Sequence, residues 1–124
     1  MLKVLLVEDN HIFREEFKKS LYDRFPSMVI EEAASGDEAF KKIKGVLPYL
    51  IFMDIRLPGQ NGLKLNQKIK KDFPSVNVAI LTSYDLPEYR QAAIPCGADC
   101  FFVKGSFEWD EVDAFVKSIS PGAF

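Results

Sequence analysis

At 124 residues the chain has the length of one ordinary domain, large enough to build a core without disulfide or metal staples. Its 48% apolar and 27% charged content excludes an intrinsically disordered chain. A net charge of −2 argues against direct nucleic-acid binding, and no apolar run reaches the roughly 18 residues of a membrane span.

The pattern alternates strand and helix five times. Leu2 to Val7 is an apolar run and reads as the first strand. It could pass for a secretory leader, but it ends at Glu8-Asp9 with no small-residue cleavage site. Asn10 completes the turn. Ile12, Phe13, Phe17 and Leu21 then recur at helical spacing, and Phe25-Pro26-Ser27 ends the first helix. Met28 to Ala33, interrupted by Glu31 and Glu32, reads as a half-buried edge strand. Ser35 is a cap candidate for a second helix with Asp37 and Glu38 in its first turn. Ala39, Phe40 and Ile43 form its apolar side, and Gly45 and Pro48 stop it.

Tyr49 to Met53 is continuously apolar, which suits a strand buried on both faces, and it runs straight into Asp54. A Pro58-Gly59 turn follows. Asn61-Gly62 opens a third helix that Asp72-Phe73-Pro74-Ser75 closes. Val76 to Leu81 is the fourth strand, ending in Thr82-Ser83. A short helix covers Pro87 to Ile94, with Pro95 and Gly97 as breakers. Cys100 to Val103 is the fifth strand, ending in Lys104. Ser106 reads as the cap of a last helix whose Val112, Phe115, Val116 and Ile119 face inward. Residues 1–120 therefore read as one domain, and 121–124 as a tail or the start of a linker.

Five alternating strands and helices imply an α/β, three-layer, doubly wound parallel sheet. Ligands collect at the carboxyl ends of such strands. Those ends carry Glu8 and Asp9, Asp54, Thr82 and Lys104. The second strand delivers only Ala33, Ala34 and Ser35. Three carboxylates in a partly desolvated cleft repel one another, and a hard divalent cation such as Mg²⁺ (or Mn²⁺) resolves that. Asp9 and Asp54 would bind it directly, Glu8 directly or through water. Lys104 and Thr82 suit a phosphoryl group, and a carboxylate can serve as its nucleophilic acceptor.

The chain at this point resembles the response-regulator receiver domains of two-component signalling. The residues that carry the resemblance are Glu8-Asp9, Asp54 with Pro58 and Gly62 in D-x-x-x-P-x-x-x-G spacing, Thr82-Ser83, and Lys104. Together the matching region runs from residue 2 to about 119. Each motif alone is weak; the five residues Glu8, Asp9, Asp54, Thr82 and Lys104 in this order are specific. The resemblance implies a sheet of strand order 2-1-3-4-5. It implies that Asp54 accepts a phosphoryl group from a histidine kinase or phosphotransfer protein. It adds the backbone carbonyl of Arg56 to the metal ligands Glu8, Asp9 and Asp54, and gives the phosphate contacts to Thr82 and Lys104. It further implies a mainly signalling rather than enzymatic role in the cytoplasm. Output would come through the surface of the fourth helix, fifth strand and fifth helix, to a separate effector or an attached domain such as a transcription regulator. A homodimer through that surface is compatible with it.

Two positions depart from the family pattern, and two more bear on how long the phosphorylated state lasts. Gly105 follows Lys104 where the family often has proline. Phe101 replaces the frequent tyrosine of the fifth strand and reads equally as packing or as a switch aromatic. Arg56 and Tyr84, two residues beyond Asp54 and Thr82, are expected to screen attacking water and prolong the phosphorylated state.

Blander readings apply elsewhere. His11 reads as an exposed first-turn residue. Cys96 and Cys100 read as two buried small residues in a reducing compartment, since no zinc set can be completed. Phe107, Trp109 and Phe115 read as helix packing. Rival functions fit less well. A haloacid-dehalogenase-type phosphatase needs a second acid where Arg56 or His11 stands. A flavin or nucleotide site wants a glycine-rich loop where Glu8-Asp9-Asn10 stands. A receiver-like docking module that is never phosphorylated would not need all five groups. The chain reads either as a single-domain regulator or as the receiver part of a longer one cut near Ser120-Pro121-Gly122.

Overall fold

The computed structural model describes residues 2–83 and 86–119. Among them, β1 (Lys3–Val7), β2 (Val29–Ala33), β3 (Leu50–Met53), β6 (Asn77–Thr82) and β7 (Cys100–Val103) form one parallel sheet. Its order is β2-β1-β3-β6-β7, which is the expected 2-1-3-4-5 once the two short strands β4 (Arg56–Leu57) and β5 (Gln60–Asn61) are set aside. The helices are α1 (His11–Arg24), α2 (Gly36–Gly45), α3 (Gly62–Asp72), α4 (Pro87–Ala93) and α5 (Trp109–Ile119).

β3 is the central strand and is buried throughout. Its alternate residues feed opposite layers. Leu50 and Phe52 pack with Phe17 and Leu21 of α1 and Val112 and Val116 of α5. Ile51 and Met53 pack with Ala39 and Ile43 of α2 and Leu65 and Ile69 of α3. A third cluster joins Ile55, Leu63 and Ile80 to Ala93 of α4. Both faces being covered explains why β3 and β6 read as unbroken apolar runs rather than alternating ones.

The helix starts follow local chemistry. Asn10, Ser35 and Asn61 cap α1, α2 and α3, their side chains accepting from the backbone N–H of Phe13, Glu38 and Leu63. Several expectations need correcting. Ser106 does not cap α5: its N–H returns to the Val103 carbonyl, and the helix opens after Glu108, whose own N–H donates to Glu111. Ile12 lies in the apolar pattern of α1 yet is 71% exposed. Cys96 and Cys100 are half-buried, and pack against clusters on opposite faces of the sheet. The segment after Asp54 is a two-stranded hairpin, not a bare turn; Pro58 and Gly59 form its tip, with Gly59 at φ 73° as the turn requires. Tyr84 and the proposed tail at 121–124 lie outside the described residues.

Candidate functional site at the carboxyl edge of the sheet

The topology brings the strand ends together. Glu8 follows β1, and its N–H donates to the Ala33 carbonyl, which prolongs the ladder with β2. Asp54 follows β3, and its N–H reaches back to the Val7 carbonyl at 3.1 Å. Thr82 ends β6 opposite Val103 and is fully buried, and its carbonyl accepts from the Lys104 N–H at 2.8 Å.

The side chains converge from there. Glu8 and Asp54 are 1% and 7% exposed, so two carboxylates are withdrawn from water side by side. Lys104 bridges them, its ammonium donating to Glu8 Oε1 and, at 3.2 Å, to Asp54 Oδ2. The same ammonium stands 4.4 Å from the ring centroid of Phe13 on α1, a cation–π contact that holds the lysine from below. The other oxygen of Glu8 accepts from the Asn10 N–H, and its carbonyl accepts from Arg14 at 2.6 Å. Burial pushes the Glu8 carboxyl up to about 7, against the lowering pull of the Lys104 hydrogen bond.

Asp54 Oδ1 is buried and has no hydrogen-bond partner among the described residues. One carboxylate oxygen from each of Glu8, Asp9 and Asp54 can lie within 4.8 Å of the others, and Asp9 is exposed. An orphaned buried oxygen beside two more acids is a donor set for a hard divalent cation, and the residues fit one. Arg56 is exposed and paired with Asn61 in the hairpin, which places its backbone on a fixed strand two residues beyond Asp54. Gly62 explains the far end of the D-x-x-x-P-x-x-x-G spacing. A Cβ there would collide with the Asp54 carbonyl and lie 2.8 Å from Ile55 Cα, so only glycine lets α3 start this close to Asp54.

On the rim, Phe101 of β7 is half-buried, and the Arg90 guanidinium of α4 lies 4.9 Å from its ring centroid. Gly105 has φ 82°, a left-handed turn that proline cannot adopt, so glycine here belongs to a differently built loop. His11 is exposed and contacts Arg14 rather than the carboxylates. Three contributors were not foreseen. Asn10 and Arg14 brace Glu8, and an Asn just before a helical stripe is the signal for the first. Phe13 looked like one more core position, and nothing local marks it as a seat for Lys104.

Known proteins resemble this chain over nearly its whole length. Residues 4–116 match the model of the response regulator receiver domain. The response regulator protein VraR of Staphylococcus aureus is 34% identical over 119 residues, which is 94% of this chain and 56% of the relative. The chain thus spans about half the length of the curated relatives it matches. Among solved structures, the response regulator protein TrrA from Thermotoga maritima, in complex with Mg²⁺-BeF, is 32% identical with a TM-score of 0.85, covering 97% of this chain and all of that one (100%). The signal receiver domain of the response regulator NarL from Mycobacterium tuberculosis is 27% identical with a TM-score of 0.84, covering 95% of both chains.

Proposed function

The chain belongs to the response regulator receiver family, and on that premise we propose that it is a two-component switch whose phosphoacceptor is Asp54. The observation that carries the reading is the Lys104 ammonium bridging Glu8 and Asp54, from three separate strand ends, beside an unsatisfied Asp54 oxygen. In the proposed step an Asp54 carboxylate oxygen attacks the phosphorus of a phosphohistidine on a kinase or phosphotransfer partner. A new P–O bond forms, the P–N bond breaks, and its electron pair stays on the imidazole nitrogen. Lys104 moves its hydrogen bonds from the acids to the incoming phosphoryl oxygens, and the Thr82 hydroxyl donates to another. Glu8, Asp9, Asp54 and the Arg56 carbonyl would hold Mg²⁺, or Mn²⁺ in its place. Bound there, it would neutralise charge on the phosphoryl oxygens.

The domain acts as a signalling regulator rather than a classical enzyme. We take residues 1–120 as the receiver unit and 121–124 as its tail or the first residues of a linker. Output then runs through α4, β7 and α5, with Phe101 and Arg90 at the hinge of that surface, toward an effector protein or an attached transcription-regulating domain. The same surface suits a homodimer. No helix among the described residues is long and apolar enough to cross a membrane, and a cytoplasmic site of action fits such a switch. The test is intact mass after incubation with a small phosphodonor and Mg²⁺. One added phosphoryl group is expected, absent in Asp54→Ala; no gain in the parent chain overturns the reading.

A further inference from the structure

The described side chains of the two layers differ in charge compensation. On α1, Arg14 and Lys18 pair with Glu32, and Arg24 pairs with Asp113 of α5. The layer formed by α2 and α3 carries seven lysines against Asp37, Glu38 and Asp72. Only Lys42 and Lys70 of the seven meet an acid, Glu38 and Asp99. Lys41, Lys44, Lys64, Lys68 and Lys71 are exposed, with no acidic partner among the described residues. A groove of about 270 Å³ opens between the helices, and the half-buried Phe40 lies in it. The ammonium groups of Lys44 and Lys68 converge on that ring from the two helices, 4.9 and 4.5 Å from its centroid. Lys41, Lys44 and Lys68 line the groove against the single acid Asp37, so the pocket around the ring stays net positive.

We propose that this α2–α3 groove is a docking surface for an acidic polypeptide segment, whose carboxylates bridge Lys44 and Lys68 while an apolar side chain rests on Phe40. The argument is charge complementarity in a chain whose net charge is −2. A nucleic acid is disfavoured by the rest of the molecule. The 11 residues of α3 span only roughly 16 Å and the chain carries a net charge of −2, so a long polyanion would run off the positive strip onto a surface with no net attraction for it. The surface is distinct from the Asp54 cleft, and the proposal stands without the phosphoacceptor reading.

The experiment uses a fluorescein-labelled peptide with a central Phe among glutamates, titrated with the full chain at low ionic strength and read by anisotropy. The Lys44→Gln/Lys68→Gln variant should weaken binding about tenfold, while Lys19→Gln/Lys117→Gln, of equal net charge, changes it less than about twofold. Thermal melts of both variants confirm that each is folded. Absent binding, or equal weakening in the two variants, overturns the proposal. So does tighter binding of a DNA duplex, or self-association of the chain that the first variant abolishes.

Discussion

On one face of the sheet α1 and α5 close over rings; on the other α2 and α3 close over aliphatic side chains. The first face gathers Phe17, Phe52 and Phe102 in its buried core, with Phe13, Phe107, Trp109 and Phe115 packed against it. Three of its surface cations, Arg14, Lys18 and Arg24, are paired with acids, and Arg24 also lies over the Trp109 ring, 5.1 Å from its centroid. The buried core of the second face is built from Leu, Ile, Val, Met and Ala, with Phe40 and Phe73 at its rim, and five of the seven lysines of α2 and α3 have no acidic partner among the described residues. The difference reaches the site. Lys104 rests on Phe13 and Glu8 is gripped by Arg14, so the cleft is braced from the aromatic side. The α3 side contributes chiefly a close backbone approach at Gly62.

The largest expected effect lies on the aromatic face. Phe17 is 2% exposed and meets Phe13, Phe52, Phe107 and Trp109 at centroid distances of 5.0–6.0 Å. Phe17→Ala leaves a ring-sized void between α1 and the sheet and should cost about 3–5 kcal/mol, against about 0.5–1.5 for Ile43→Val on the other face. Urea unfolding followed by Trp109 fluorescence measures the first, and circular dichroism both. Equal costs would show that the rings fill space without anchoring the fold.

The next effect belongs to the cleft. Glu8 is held near 7 when folded, above its usual 4.5, because burial disfavours its charge. The folded chain therefore binds this proton more tightly than the unfolded chain. The stability so gained is complete below the unfolded value and is lost as pH rises through about 7. The difference amounts to about 3 kcal/mol between pH 4.5 and 7 without divalent metal. Unfolding in chelator should show wild type losing stability across this window more steeply than Glu8→Gln. Mg²⁺, which favours the ionised acids, should flatten the wild-type slope. Parallel pH profiles for the two proteins would mean that Glu8 ionises freely in the folded chain.

Most of this fold is legible in the sequence because the sheet is buried on both faces. Unbroken runs such as Leu50–Met53 and Val78–Leu81 can be little else, and polar residues punctuate their ends. The cleft is legible for the same reason, since parallel strands deliver Glu8, Asp54, Thr82 and Lys104 to one edge. What escapes depends on tertiary neighbours or on very short elements. The hairpin of β4 and β5 has two residues per strand, too few for any periodic signal. Ile12 shares the spacing of a buried stripe, but Phe13, Phe17 and Leu21 already fill the contact of α1 with the sheet. Ser106 looks like a cap, yet the left-handed turn at Gly105 sends its N–H back to β7. The seat of Lys104 on Phe13 and the convergence of Lys44 and Lys68 on Phe40 join residues remote in sequence, which no local pattern announces.

The smallest effect separates the two faces by sign. Lys64 is exposed in the first turn of α3, a turn without acids, and stands four residues before Lys68. Lys64→Glu replaces a like-charge pair by an attraction in the favourable order and sets a negative charge at the helix N-terminus. These gains together should stabilise the chain by about 0.5–1 kcal/mol, less at high salt. On α1, Lys19 stands four residues after Glu15, so Lys19→Glu makes the opposite exchange and should cost a few tenths, about 0.3 kcal/mol. Paired thermal melts at low ionic strength read both signs, and matching signs would dissolve the contrast between the faces. Lys64→Glu should also weaken the acidic peptide, because the same positive field that strains the isolated chain attracts it. A face that gains stability on losing a charge, and loses binding with it, holds that charge for a partner rather than for the fold.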